Sequence, residues 1–252
     1  MPLSDKHVVV TGGGTGVGAA IAVDLANAGA AVTIVGRREE PLVKLASTSV
    51  NIDWLCADVT QADALQEALL IARQQSGSID IVVANAGAAS SKPFSKLSSA
   101  DMQSMLDVNL LGVFNTFQAV LPDMLESGWG RMIAISSTAG LKGYSYVSHY
   151  CAAKHAVIGL IKSLSQELAR KGITVNAVCP SYVDTEMTQQ TIANIMQKTK
   201  MSEDDAIAAL IAANPQGRLI LPKEVASTVA WLCGDNASAI NGQAVSISGG
   251  EI

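Results

Sequence analysis

Short apolar runs alternate along this chain with longer stretches whose apolar residues recur at helical spacing, and glycines or polar clusters separate the two. Residues 8–10 form a β-branched run that ends in glycines. Residues 16–28 then carry Ile21, Val23, Leu25 and Ala28 at helical intervals. Further strands are predicted at 31–35, 52–56, 79–84, 131–136, 173–178 and 243–247, and further helices at 61–75, 100–126 and 149–170. The strand runs are almost continuously apolar, as expected where helices cover both faces of a sheet. Strand-helix alternation of this kind implies an α/β fold with a parallel, doubly wound sheet of about seven strands and right-handed crossovers. No repeat or low-complexity linker divides the chain, so a single domain over 1–252 is expected. The stretch 185–215 breaks the pattern: it is rich in polar residues and Met, with a helical patch near 204–213. It reads as a lid over a site at the carboxyl edge of the sheet, or as a surface helix pair.

Composition narrows the function classes. In 252 residues, 49% are hydrophobic and 15% charged, which argues against disorder and fits either apolar surface covered by other subunits or a large core within one. The net charge of −5 and the lack of a basic block argue against a nucleic-acid or anionic-membrane partner. Cys56, Cys151, Cys179 and Cys233 have no CxxC spacing, so neither a zinc site nor a redox pair is expected, and no metal is assigned. The polar start of the chain, without a signal-peptide pattern, sets a cytoplasmic expectation.

The sequence Thr11-Gly12-Gly13-Gly14-Thr15-Gly16-Val17-Gly18 follows the first strand and opens a helix. Glycines there let the backbone approach a pyrophosphate, and the helix N-terminus favours its charge. The spacing is GxxxGxG on Gly12, Gly16 and Gly18, not GxGxxG. At the end of the second strand stand Gly36, Arg37 and Arg38, where an acidic residue would select a ribose hydroxyl. A guanidinium there suits a 2′-phosphate, so NADP(H) is favoured over NAD(H). Arginines merely capping a strand end in solvent would look the same. Asp58 and Val59 follow the third strand, where a carboxylate can accept from an adenine amino group. Asn85-Ala86-Gly87 ends the fourth, with small residues for close approach and an amide able to tie strand ends together.

Tyr150 and Lys154 lie four apart on a predicted helix and so share a face. A nearby ammonium favours a phenolate and would make the tyrosine a usable acid or base. Ser137 follows the fifth strand at the carboxyl edge, where its hydroxyl can bond a substrate oxygen. Asn109 sits in an apolar stretch of the 100–126 helix, either a core amide satisfied by backbone or a residue holding water in a proton relay.

Together these residues resemble the short-chain dehydrogenase/reductase superfamily in its form of roughly 250 residues. The matches are TGGGTGVG from Thr11, DV at Asp58, NAG at Asn85, Asn109, Ser137 and YCAAK from Tyr150, in family order and down to the terminal Ser248-Gly249-Gly250. The resemblance implies a Rossmann-like domain, a homotetramer or homodimer, and an oxidoreductase that interconverts a ketone and a secondary alcohol. It implies Tyr150 as proton carrier, Lys154 as its partner and ribose ligand, Ser137 as carbonyl ligand and Asn109 in a water relay. Pro180, Val183 and Thr185 match cofactor-contacting positions. Ser181 departs from the glycine frequent in the family, which puts the substrate side in doubt.

The expected substrate wall includes Leu141, Tyr144, His149, Tyr182 and Met187, apolar and aromatic, suited to a medium-sized ketone or 3-oxoacyl group. His149 precedes Tyr150 and could touch substrate, although a histidine in that place is more often packed at the helix start. Segment 172–180 also resembles polyketide ketoreductases and 3-hydroxyacyl-thioester dehydrogenases, leaving free ketone and thioester substrates open. A non-catalytic nucleotide-binding scaffold is the competing class.

Overall fold

A computed structural model describes residues 3–252. Seven strands lie side by side: β1 (His7–Thr11), β2 (Ala31–Gly36), β3 (Ile52–Cys56), β4 (Ile81–Ala84), β5 (Gly130–Ile135), β6 (Ile173–Pro180) and β7 (Ala244–Ile247). All pairings are parallel, in the order β3-β2-β1-β4-β5-β6-β7. The order reverses between β1 and β4, which opens a crevice at the carboxyl ends of the strands.

The near-continuous apolar strands serve two cores at once. Val8, Val10, Ile34, Ile81, Val83, Ile133 and Ile135 face one side, against Ile21 and Leu25 of α1 (Gly16–Asn27) and Val225, Val229 and Leu232 of α9 (Pro222–Cys233). Val9, Val35, Val82, Met132, Ala134, Val175 and Ala177 face the other. There they meet Leu65 and Leu69 of α3 (Ala62–Ser76), Phe117 and Val120 of α5 (Gly112–Ser127), and Val157 and Ile161 of α6 (Ser148–Leu168). Side chains alternate along a strand, so one run of valines and isoleucines feeds both layers. Each fully buried one contributes about 1.5–3 kcal/mol. The strand ends, and the residues just beyond them, are thereby fixed.

The long helix expected at 100–126 is divided. It consists of α4 (Ser99–Leu106), a π-turn (Asp107–Leu111) and α5. The cause is Asn109, which donates its amide to the Met105 carbonyl four residues earlier at 3.1 Å and so competes for an acceptor of the helical ladder. α2 (Glu39–Ala46) is a helix that the apolar pattern did not signal. The 185–215 stretch holds two helices, α7 (Glu186–Thr199) and α8 (Glu203–Ile211), each started by a threonine or serine that accepts from the backbone of its first turn. β6 runs on to Pro180, paired with Ile247, beyond its expected end.

Candidate active site

The glycine turn connects β1 to α1. A Cβ on Gly18 would stand 2.2 Å from the Gly12 carbonyl oxygen and 2.4 Å from Asn85 Nδ2, so only hydrogen fits where helix meets strand. Gly12 and Gly16 take left-handed φ of 64° and 55°. Thr15, the N-cap of α1, makes no side-chain cap, and the first turn has no acidic residue. Gly14, Thr15, Gly16 and Val17 are partly exposed there. This helix end presents its dipole without a competing side-chain carboxylate, which fits a phosphate. Asn85 donates to the carbonyls of Thr11 and Gly12 at 3.0 and 3.1 Å and ties the ends of β1 and β4, as expected. Ala86 and Gly87 continue from it. A Cβ on Gly87 would lie 2.9 Å from Asn109 Oδ1 and 3.7 Å from Lys154 Nζ.

Arg37 is 70% exposed and approaches Asp58 at 3.8 Å across the ends of β2 and β3. Asp58 also accepts from the backbone and hydroxyl of Thr60 at 3.0 and 2.9 Å. Arg38 is the N-cap of α2. Val59 is buried, and a Cβ on Gly112 would meet it at 2.7 Å. The arginines and the carboxylate thus flank one end of the crevice.

Across the switch point, Ser137 leaves β5 and caps a 3-10 turn, Thr138–Gly140, by accepting from Ala139 N at 3.1 Å. Tyr150 and Lys154 project from the first turns of α6. Lys154 is only 4% exposed, donates from Nζ to the Ile135 carbonyl at 2.9 Å, and lies 5.7 Å from the centroid of the Tyr150 ring. Burial lowers its pKa to about 8. Burial raises that of Tyr150 to about 12, and hydrogen bonding to Ser137 pulls in the opposite direction. The acidified phenol expected from sequence is therefore not what this geometry yields. Desolvation dominates, Ser137 is the group that opposes it, and Lys154 is held on a carbonyl instead. Asn109 is fully buried, donating to Ala88 O at 2.9 Å and accepting from Ala88 N at 3.3 Å. Those bonds satisfy the amide through backbone and place it behind Gly87 and Lys154.

The expected substrate wall is divided in the structure. Leu141 packs at the edge of the second core. Met187 is exposed in the first turn of α7, and Tyr182, partly buried, follows β6. His149 is buried, with Nε2 2.8 Å from Ser90 Oγ and Nδ1 without a partner, so it packs at the helix start. The Tyr144 hydroxyl is engaged by Thr138 Oγ1 at 2.7 Å and Glu251 Oε1 at 2.5 Å. Glu251 was absent from the expected set. Its only sequence signal is an acidic residue directly after a Gly-Gly pair. On the cofactor side, Pro180 ends β6 and Val183 bridges to Ile220. Thr185 caps α7 by accepting from Thr188 N at 3.4 Å, and its Cγ2 would lie 3.3 Å from a Cβ on Gly16, so the start of α7 abuts the glycine turn.

Among the described residues, no group of three or more His, Cys, Asp or Glu is placed to hold a metal ion, and no helix is long and apolar enough to cross a membrane.

Comparison with known proteins agrees with this arrangement. A ketoacyl reductase of Streptomyces coelicolor is 35% identical over 257 residues, covering 99% of this chain and 98% of the relative. An acetoacetyl-CoA reductase of Rhizobium meliloti is 35% identical over 246 residues, covering 98% of each. A crystal structure of an actinorhodin polyketide ketoreductase variant with NADPH superimposes with a TM-score of 0.95 at 34% identity, covering 100% of this chain and 99% of that one. The short chain dehydrogenase profile matches residues 6–196, from β1 through the glycine turn and the Tyr150–Lys154 helix, and the chain belongs to that family.

Proposed function

We propose that this oxidoreductase reduces a medium-sized ketone or 3-oxoacyl group to a secondary alcohol, with NADPH preferred and NADH possible. The observation that carries the reading is the convergence of Ser137, Tyr150 and Lys154 at the carboxyl edge of β5, across the switch point from an uncapped glycine turn. The nicotinamide, when bound, supplies or accepts the hydride. The protein positions the partners and manages the proton.

Tyr150, held near 12, keeps its proton at neutral pH and donates it to the carbonyl oxygen as charge develops there. Ser137 orients that oxygen and bonds the phenol. Lys154, with a pKa near 8, is mainly an ammonium at neutral pH and stabilises the phenolate left after donation while binding the nicotinamide ribose. Asn109, its amide satisfied by the backbone of Ala88 and Met105, braces the Gly87 turn behind Lys154. Gly12, Gly14, Thr15, Gly16, Val17 and Gly18 hold the pyrophosphate, Asp58 and Val59 the adenine, Asn85, Ala86 and Gly87 its ribose, and Arg37 and Arg38 the 2′-phosphate. Pro180, Val183 and Thr185 hold the carboxamide. Leu141, Tyr182 and Met187 line the substrate, and α7 with α8 closes over it as a lid.

Ketoacyl and acetoacetyl-CoA reductases among the relatives support the 3-oxoacyl class. Partly exposed apolar side chains on α5, Leu125 and Phe114 among them, support a homotetramer or homodimer. The four unpaired cysteines suit a reducing cytoplasm. The test is oxidation of NADPH or NADH, followed by absorbance, with a panel of free ketones and 3-oxoacyl thioesters. Turnover of at least one class, faster with NADPH, is expected. Saturable dinucleotide binding with no turnover of any substrate would make the chain a binding protein.

A further inference from the structure

We infer that Glu251 is a positioning residue: its buried carboxylate clasps together the two loops that frame the substrate side of the crevice. The inference rests on the reductase reading given above and adds a specificity-determining element to it.

The Glu251 side chain is 2% exposed, a costly place for a carboxylate without partners. It has three, from two distant loops. The loop after β5 contributes Lys142 Nζ at 2.7 Å and the Tyr144 hydroxyl at 2.5 Å, both to Oε1. The loop after β6 contributes the Ser181 hydroxyl at 2.5 Å to Oε2. Burial pushes the carboxyl up, and the bonds from Lys142, Ser181 and Tyr144 outweigh it, so Glu251 is held ionised. Tyr144 donates its one proton to Glu251, which leaves its oxygen to accept from Thr138. That hydroxyl is therefore committed within the protein, and only the ring remains to face a substrate.

Two left-handed glycines deliver the carboxylate. Gly249 and Gly250 have φ of 63° and 98°, and a Cβ on Gly249 would stand 2.0 Å from Asn214 Oδ1. The Gly-Gly pair thus packs against Asn214 and Pro215, where the chain returns from α8, and Glu251 reaches inward from there. The clasp also accounts for the serine at 181: its hydroxyl is a ligand of Glu251, where a glycine would offer none.

The loop from Lys142 to Ser148 leads directly into the helix that carries Tyr150, and Ser181 precedes Tyr182. Releasing Glu251 therefore loosens the substrate wall from both sides without touching the glycine turn. The isosteric Glu251→Gln removes the charge, and Tyr144→Phe removes one bond while keeping the ring. Two readouts are needed: amide hydrogen exchange and the separate kinetic constants for the ketone. In Glu251→Gln, amides of residues 141–148 are expected to exchange at least tenfold faster, with β1, β4 and β5 unchanged. KM for the ketone should rise at least fivefold while kcat stays within twofold. Tyr144→Phe should give a smaller change of the same pattern. Exchange that accelerates evenly over the sheet with KM unaltered would make Glu251 a stability residue and overturn the inference, as would unaltered exchange in both variants. Exchange is read on the protein whether or not it turns over a ketone. A localised change in a chain without turnover would therefore leave the clasp standing and sink only the reductase reading.

Discussion

Lys154→Met is expected to make the protein more stable while nearly abolishing turnover. The wild-type ammonium sits in the core, 4% exposed, and its pKa falls from 10.5 to about 8 because burial penalises the charge. At about 1.4 kcal/mol per pH unit, the charged form costs about 3 kcal/mol of folding free energy at neutral pH. Methionine fills similar volume without charge. The substitution also removes the bond to the Ile135 carbonyl, a loss of about 1–2 kcal/mol. A net gain of about 1–2 kcal/mol remains, or roughly 2–8 °C in Tm for a chain of this size. The sign follows from proton counting. The unfolded lysine binds its proton more tightly than the folded one, so wild-type stability rises with pH between about 8 and 10.5 as the folded state escapes the penalty. Denaturant unfolding of both proteins between pH 7 and 10 is the assay. Below pH 10, Tyr150 stays neutral in both, its pKa being about 12 in the folded state. The advantage of the variant should shrink by about 2 kcal/mol across that window. A variant less stable at pH 7, with a gap that does not move with pH, would refute the assignment of a buried charged lysine.

Two further substitutions test the cofactor end of the crevice. Arg37→Ala should raise KM for NADPH about tenfold, about 1.4 kcal/mol, and leave NADH within twofold. Equal losses would mean that this arginine, at 3.8 Å from Asp58, serves the protein and not a 2′-phosphate. Gly18→Ala forces a Cβ to within 2.2 Å of the Gly12 carbonyl oxygen. It should cost about 1–3 kcal/mol of stability by thermal melting and weaken dinucleotide binding at least tenfold by fluorescence titration. Wild-type affinity in that variant would show that the glycine turn is not the phosphate site.

The strands were legible because each is a run of apolar residues serving two cores, and the expected boundaries fall within about two residues of those found. The glycine turn, Asn85, Ser137 and the Tyr150–Lys154 pair were legible because strand ends and helix faces place them with little dependence on distant contacts. What escaped was whatever tertiary contacts decide. Nothing in an apolar pattern reveals that the Asn109 amide would take the Met105 carbonyl and widen the helix into a π-turn. α2 has eight residues and buries only Leu42, and α7 is polar and buries only Thr188 and Ile192, so neither carries a long apolar stripe. α7 is started by Thr185, whose capping role the pattern did not signal. Glu251 meets Lys142 and Ser181 only once three separate segments have folded together. The pKa of Tyr150 also depends on how completely the fold buries it, and burial outweighs the opposing hydrogen bond to Ser137.

The most direct measurement is single-turnover reduction of an accepted ketone by the NADPH complex of Tyr150→Phe, beside the dissociation constant of NADPH for the same protein. Loss of the phenolic proton should slow the step by at least a thousandfold, about 4 kcal/mol of barrier, with cofactor affinity within twofold of wild type. A variant that reduces the ketone within tenfold of the wild-type rate would show that the proton comes from elsewhere.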